Sequence, residues 1–260
     1  MRPQFLQNAK IKYHDFSNRV EIGINVYKAR YNDEIFVLKE LNNSKKIQNT
    51  LEIINILRDI PHPNIVKFYA VVNNSFGNIV LVMKFAEGGN LRQYLKNDNL
   101  QIIKKLKIAK DITEGLKFLH DNNIIHCDMH TENILVHKGR MLLTDFDFST
   151  FSNSESEVHG IAAFIDPCAQ TFSNKIIFTT KYDIYALGFI LWEISSCSKP
   201  FDGKTPLEII ILTQDGVRET ASEMLLEYDN LYKKCWDKDP VKRPETNIIL
   251  EILNDIFEKI

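Results

Sequence analysis

His126-Cys127-Asp128-Met129-His130-Thr131-Glu132-Asn133, followed downstream by Asp145-Phe146-Asp147, is the most informative part of this chain. An Asp is followed five residues later by an Asn, and twelve residues after that by a second Asp. One carboxylate can orient and deprotonate a hydroxyl, while an amide oxygen and a second carboxylate can hold metal ions on phosphates. Lys39, far upstream behind an apolar run, is a candidate cationic partner for those phosphates. Three such residues at this spacing are an improbable accident in a solvated polar loop.

Outward from that stretch the chain divides in two. Upstream, residues 16 to 41 read as short strands, with a turn at Tyr31-Asn32-Asp33 between an Arg19–Arg30 segment and Glu34–Leu41. Lys46 to Ile60 reads as a helix with Ile47, Leu51, Ile54 and Leu57 on one face, stopped by Pro61-His62-Pro63. Val66–Val72 and Ile79–Phe85 are apolar strands, and Gly88-Gly89 breaks the chain. From Leu91 on, helical patterns dominate: Leu91–Lys96, Leu100–Asp121, Lys181–Ser196, Pro206–Gln214, Ala221–Trp236 and Thr246–Ile260. A strand-rich first third before a helix-rich remainder predicts two lobes, broken near Lys84 to Gly89.

Composition narrows the function classes. The 260 residues are 44% hydrophobic and 25% charged, ordinary for a globular protein with a sizeable core. A formal net charge of −2 gives no footprint for nucleic acid or an anionic membrane. The longest apolar run, Ile184 to Trp192, is too short to span a bilayer. Met1-Arg2-Pro3-Gln4 lacks the apolar region of a signal peptide. The four cysteines, Cys127, Cys168, Cys197 and Cys235, form no CxxC pair and read as reduced cytoplasmic thiols. Nothing in the pattern speaks to oligomeric state.

In order along the chain, further landmarks accompany the opening stretch. They are Val26-Tyr27-Lys28-Ala29, Val37-Leu38-Lys39, His62-Pro63-Asn64-Ile65-Val66, Asp183-Ile184-Tyr185-Ala186-Leu187-Gly188 and Cys235-Trp236-Asp237-Lys238-Asp239-Pro240-Val241-Lys242-Arg243-Pro244. Together they resemble a protein kinase domain of the tyrosine-kinase-like group from about Val20 to Ile252. The last two argue against a small-molecule kinase, which shares only part of the catalytic loop. The resemblance implies an α+β, bilobal fold with a small β-rich N-lobe and a larger helical C-lobe. A single domain is expected over residues 1–260: N-lobe about 1–83, hinge 84–86, C-lobe 87–260.

The resemblance further implies a protein kinase of Ser/Thr type, with ATP as phosphoryl donor and Mg2+ as metal, acting on a protein substrate or signalling partner. Asp128 would accept the hydroxyl proton, Asn133 and Asp145 would hold metal, and Lys39 would pair with the phosphates. His130 stands where such kinases carry a lysine on the γ-phosphate. Val26, Val37 and Leu135 would sandwich the adenine, with Met83 as gatekeeper and the backbone of Lys84, Phe85 and Ala86 as hinge. Leu57, Phe68, His126 and Phe146 match the apolar spine linking the lobes, and Asp183 is expected to accept backbone N–H bonds from the catalytic loop.

Departures from the family pattern set the question of activity. The three glycine positions of the phosphate loop fall on Arg19, Glu21 and Ile24, so a tight hairpin is expected there. The glutamate that normally holds the lysine falls on Ile53, and Glu52, about 100° round the helix, is expected to be solvated. Cys127 replaces an arginine that docks a phosphorylated activation segment. Phosphorylation among Ser149, Thr150, Ser152, Ser154 and Ser156 is therefore not expected to switch activity on. Asp147 replaces a glycine able to take positive φ, and would either help hold metal or repel the triphosphate. Cys168 replaces a glutamate that pairs with the arginine matching Arg243, which leaves Asp166 as the expected partner. Two readings follow: a weak kinase, and a pseudokinase acting as a scaffold or binding module.

Overall fold

The computed structural model describes residues 11–41, 47–96, 100–169, 176–222 and 224–260. The first region is an antiparallel sheet of β1 (Ser17–Gly23), β2 (Val26–Tyr31), β3 (Glu34–Glu40), β4 (Phe68–Asn73) and β5 (Ile79–Lys84), in spatial order β1-β2-β3-β5-β4. One helix, α1 (Ile47–Asp59), lies between β3 and β4.

Strand alternation places the residues that matter. Phe36 and Leu38 of β3, with Val80 and Val82 of β5, join a small cluster with Phe16, Ala29 and Val72. Val37, Leu81 and Met83, one residue out of phase, face the main core shared with the second region. Successive side chains on a strand point to opposite faces, so Lys39 follows Val37 onto that inner face. Helix α1 buries Thr50, Ile53, Ile54 and Leu57, the spacing of one helical stripe.

The second region is mainly helical. After α2 (Leu91–Leu95) and α3 (Ile102–Asp121) come short strands: β6 (Ile124–Ile125), β7 (Ile134–His137), β8 (Arg140–Leu143), β9 (Thr150–Phe151), β10 (Glu155–Ser156) and β11 (Ile176–Ile177). The helices α4 (Thr180–Ser196), α5 (Pro206–Gln214), α6 (Leu226–Cys235) and α7 (Thr246–Glu258) complete it. Side-chain caps fix two helix starts. Asn90 accepts from the Gln93 amide and Thr205 from the Glu208 amide, each in a reciprocal capping box. Helix α4 is almost wholly buried and packs against α3 and α6.

Some expectations need correction. The β7–β8 hairpin lies between the expected helices Leu100–Asp121 and Lys181–Ser196, where no element was expected, and is turned by Lys138 and Gly139, both at positive φ. The helix expected from Ala221 begins at Leu226. The Ser222 hydroxyl bonds Asp229 and its amide donates to the Tyr232 hydroxyl, which ties this stretch across the helix instead of continuing it. The expected Lys46 start of α1 lies outside the described residues, and the helix is described from Ile47. Among the described residues no helix is long and apolar enough to cross a membrane.

Candidate active site

A cleft of about 540 Å³ lies between the sheet and the helical region, within the usual range for small-molecule sites. Val26, Val37, Met83, Lys84, Phe85, Ala86 and Leu135 all line it, as do Lys39, Asn133 and Asp145. Val37 and Met83 are opposite each other in the β3–β5 ladder. The segment after β5 is pinned to β7 by reciprocal bonds, Gly88 N–H to Val136 O at 2.9 Å and Val136 N–H to Gly89 O at 2.9 Å. A Cβ on Gly88 would sit 2.7 Å from the Val136 carbonyl, so only glycine fits this close approach.

The roof over the cleft is a tight turn. Gly23 pairs with Val26, leaving only Ile24 and Asn25 between β1 and β2. Asn25 takes φ 59°, and Ile24 projects outward at 88% exposure. A two-residue turn with an asparagine at positive φ is standard hairpin chemistry. The expected hairpin is present, and Ile22, Gly23, Val26 and Lys28 of its two strands line the cleft.

The loop from His126 to Asn133 is held from beneath. Asp183, at 0% exposure on α4, accepts the His126 amide at 2.8 Å and the Cys127 amide at 3.0 Å, and lies 3.0 Å from His120 Nε2. This is the support expected of it. Cys127 is buried at φ 65°, a conformation its amide bond to Asp183 helps to fix. A second anchor was not foreseen. Thr131 donates to Glu193 at 3.0 Å, and Arg92 bonds both Thr131 and Glu193 at 3.0 Å. Burial pushes the Glu193 carboxyl up to about 7, against the opposing pull of Arg92 and Thr131. A lone acid within the apolar run Ile190-Leu191-Trp192-Glu193-Ile194 was the available sequence signal.

The loop brings Asp128 and Asn133 together. The Asn133 amide donates to the Asp128 carbonyl at 3.0 Å and to its carboxylate at 2.9 Å. His130 Nε2 lies 3.7 Å from the same carboxylate. Burial raises the Asp128 carboxyl, but His130, His126 and the Asn133 amide outweigh it and hold the group below the usual carboxylate range. His130 is buried and packs near Phe164, and neither it nor Asp128 is part of the cleft lining. Gly160 crosses close above: a Cβ there would meet Asp128 Oδ1 at 2.9 Å.

Lys39 meets two carboxylates, Asp145 Oδ1 at 2.7 Å and Asp147 Oδ2 at 2.8 Å. Burial works to lower the ammonium pKa, yet the two acids leave it above its ordinary value. Asp147 shifts the other way from a paired acid. Burial and the neighbouring Asp145 raise it more than Lys39 lowers it, since one cation serves two anions. Glu52 is exposed and accepts from Gln48 at 3.3 Å, while Ile53 is at 0% exposure, so the helix glutamate is indeed replaced by core. Asp147 does not take the positive φ open to the glycine it replaces, whereas Asp145 does, with φ 63°. That conformation turns the Asp145 carboxylate to Lys39 and lets the Asp147 amide approach it at 3.4 Å.

Phe146 meets Phe68 edge-on at 5.9 Å and His126 at a tilt at 5.1 Å, and Leu57 lies in the same core as Phe68 and Phe146. Arg243, at 1% exposure, pairs with both carboxylate oxygens of Asp166, as expected once Cys168 had replaced the usual acid.

Comparison with known proteins gives the family of the chain. The family described as protein tyrosine and serine/threonine kinase matches residues 19–253. Serine/threonine/tyrosine-protein kinase HT1 of Arabidopsis thaliana is 28% identical over 226 residues, covering 85% of this chain and 58% of its own. Serine/threonine-protein kinase STY17 of the same plant is 26% identical, covering 87% of this chain and 40% of its own. Human mitogen-activated protein kinase kinase kinase 7 is 27% identical over 261 residues, covering 95% of this chain and 42% of its own. The chain thus spans between 40% and 58% of the length of these relatives. With a bilobal architecture and a match across most of its length, the chain belongs to the protein tyrosine and serine/threonine kinase family.

Proposed function

We propose that this chain transfers the terminal phosphoryl group of ATP to a hydroxyl of a protein substrate, of Ser/Thr type and at a reduced rate. The supporting observation is the continuity of one site. Asp128 is hydrogen-bonded to Asn133, and Asn133, Asp145 and Lys39 line the same cleft. Asp128 would orient the incoming hydroxyl and take its proton, with Asn133 fixing the carboxylate. Lys39 would pair with phosphate oxygens.

The donors facing the cleft are oxygens, the amide of Asn133 and the carboxylate of Asp145, which fit a hard cation such as Mg2+. Among the described residues no cluster of three or more His, Cys, Asp or Glu forms a metal cage. Mg2+ typically binds through one or two carboxylates plus substrate phosphates, so its retention here would depend on the nucleotide. When bound, the metal would neutralise and orient those phosphates. The apolar walls at Val26, Val37 and Leu135 would take the adenine, with the backbone of Lys84, Phe85 and Ala86 as its polar edge.

The reduced rate follows from the roof and from Ile53. A hairpin without the glycine pattern offers fewer amides to phosphate, and each ~1.4 kcal/mol of transition-state stabilisation lost is tenfold in rate. The reacting groups themselves are retained. A pseudokinase scaffold is the competing reading, favoured by the closure of Lys39 onto Asp145 and Asp147. A cytoplasmic setting and a protein signalling partner belong to either reading.

The test is phosphoamino-acid analysis of a generic protein substrate incubated with the chain and labelled Mg-ATP, beside an Asp128→Asn control. Phosphoserine or phosphothreonine that disappears in the control is expected. Phosphotyrosine alone would overturn the assignment of type, and label unchanged in the control would overturn the activity.

A further inference from the structure

Three features around Lys39 belong together. The helix position expected to supply its acidic partner is Ile53, wholly buried among Ile54 and Leu57, where an added carboxylate would lose core packing. The neighbouring acid, Glu52, turns outward to Gln48. On the opposite side, Asp147 stands where the family has a glycine, and its carboxylate lies 2.8 Å from the lysine nitrogen.

We infer that Asp147 is the positioning residue for Lys39, doing from the start of the activation segment what a helix glutamate does elsewhere in the family. This deepens the proposed kinase reading and rests on it. Asp145 alone could not do both jobs: once it faces a metal ion, its hold on the lysine is shared. Asp147 comes from the same short segment, so lysine and metal-holding acid would be set by one piece of chain.

The arrangement also changes what α1 must do. In this chain the helix carries no charge to the site. It is tied to the activation segment by Asn49, whose amide donates to the Ser149 carbonyl at 2.8 Å, while Ile54 and Leu57 lie in the main core with Phe146. The helix reaches the lysine only indirectly, through the segment that carries Asp147.

Two other roles for Asp147 make different predictions. A carboxylate that repels phosphate would weaken nucleotide binding, and one that ligates metal would act only when metal is present. A double-mutant cycle separates all three. The four proteins are the full chain, Lys39→Met, Asp147→Asn and the double variant. The readout is calorimetric affinity for the β,γ-imido analogue of ATP, with Mg2+ and with EDTA.

Asp147→Asn is expected to weaken binding about fivefold to tenfold, and to add nothing in the Lys39→Met background, with Mg2+ or without. Tighter binding by Asp147→Asn would overturn the inference in favour of repulsion. A loss that persists in Lys39→Met and vanishes in EDTA would overturn it in favour of metal ligation. Asp147→Glu, which keeps the charge, is expected to recover much of the affinity, and failure to do so would also count against the inference. Binding is measured apart from transfer: intact binding without transfer would defeat the proposed activity and leave the cycle readable. A wild-type chain that binds no nucleotide would overturn both.

Discussion

Removing the carboxylate of Asp166 should destabilise the helical region sharply. Arg243 and Asp166 are 1% and 4% exposed, and the guanidinium contacts both carboxylate oxygens. Its other acceptors are the carbonyls of Asp237 at 2.8 Å, Lys181 at 2.9 Å and Lys238 at 3.5 Å, and it lies 5.1 Å from the Tyr185 ring. In Asp166→Ala the cation stays buried with those carbonyls but without a counter-charge. Breaking one side of a buried pair costs roughly 3–5 kcal/mol. The retained carbonyls place this case near the lower end, about 3 kcal/mol. For a domain of this size that is a fall in Tm of about 6–12 °C. Circular dichroism melts at neutral pH, with urea titrations for ΔG, read it directly. The companion variant replaces both partners, Asp166→Leu with Arg243→Met, and should recover most of the loss, because the cost lies in the orphaned charge. A Tm change under about 2 °C for Asp166→Ala, or a double variant no better than the single one, would refute the reasoning.

Two further outcomes follow from the site. The Glu193 carboxyl is raised from 4.5 to about 7 by burial, so the unfolded chain loses that proton first as pH climbs. For this group stability is greatest below the unfolded value and falls as pH rises toward 7, by up to ~3 kcal/mol. Urea titrations of Glu193→Gln at pH 5 and pH 7.5 should show a flatter slope than the wild type, and an unchanged slope would count against it. Phosphomimetic Ser152→Asp and Ser154→Asp should leave transfer within about twofold, since Cys127 supplies no cation to dock them. A tenfold gain in a filter-binding assay would contradict that. Ser149 and Thr150 are buried, and Ser149 bonds the His126 carbonyl at 3.0 Å, so neither presents a hydroxyl for modification.

The parts of this molecule legible in its sequence are those set by local pattern. The stripe of Ile47, Leu51, Ile54 and Leu57 announces α1, although Thr50 and Ile53 are buried more deeply than Ile47 and Leu51, and the inner-face alternation of Val37 and Lys39 follows from strand period alone. The replacement of the helix glutamate by core and the Asp166 partner of Arg243 were readable as consequences of single substitutions, and a tight hairpin within Arg19–Val26 from the missing glycines, though its turn at Ile24-Asn25 was not placed. Illegible parts depend on contacts distant in sequence. That Asp147 reaches Lys39 is a meeting of residues 108 apart by number, invisible to any local rule. The positive φ at Asp145 reflects where its carboxylate must point, which composition does not encode. The β7–β8 hairpin was hidden because four-residue strands carry little periodicity, although Lys138-Gly139 was a turn signal.

The central claim is that a site with an altered roof and no helix glutamate still moves phosphate. The most direct measurement is transfer of labelled γ-phosphate from Mg-ATP to a generic protein substrate, comparing wild type with Asp145→Asn in parallel preparations. Slow transfer above background in the wild type, lost in the variant, is the predicted result. Equal signals in the two proteins would contradict it and make the scaffold reading the better account of this chain.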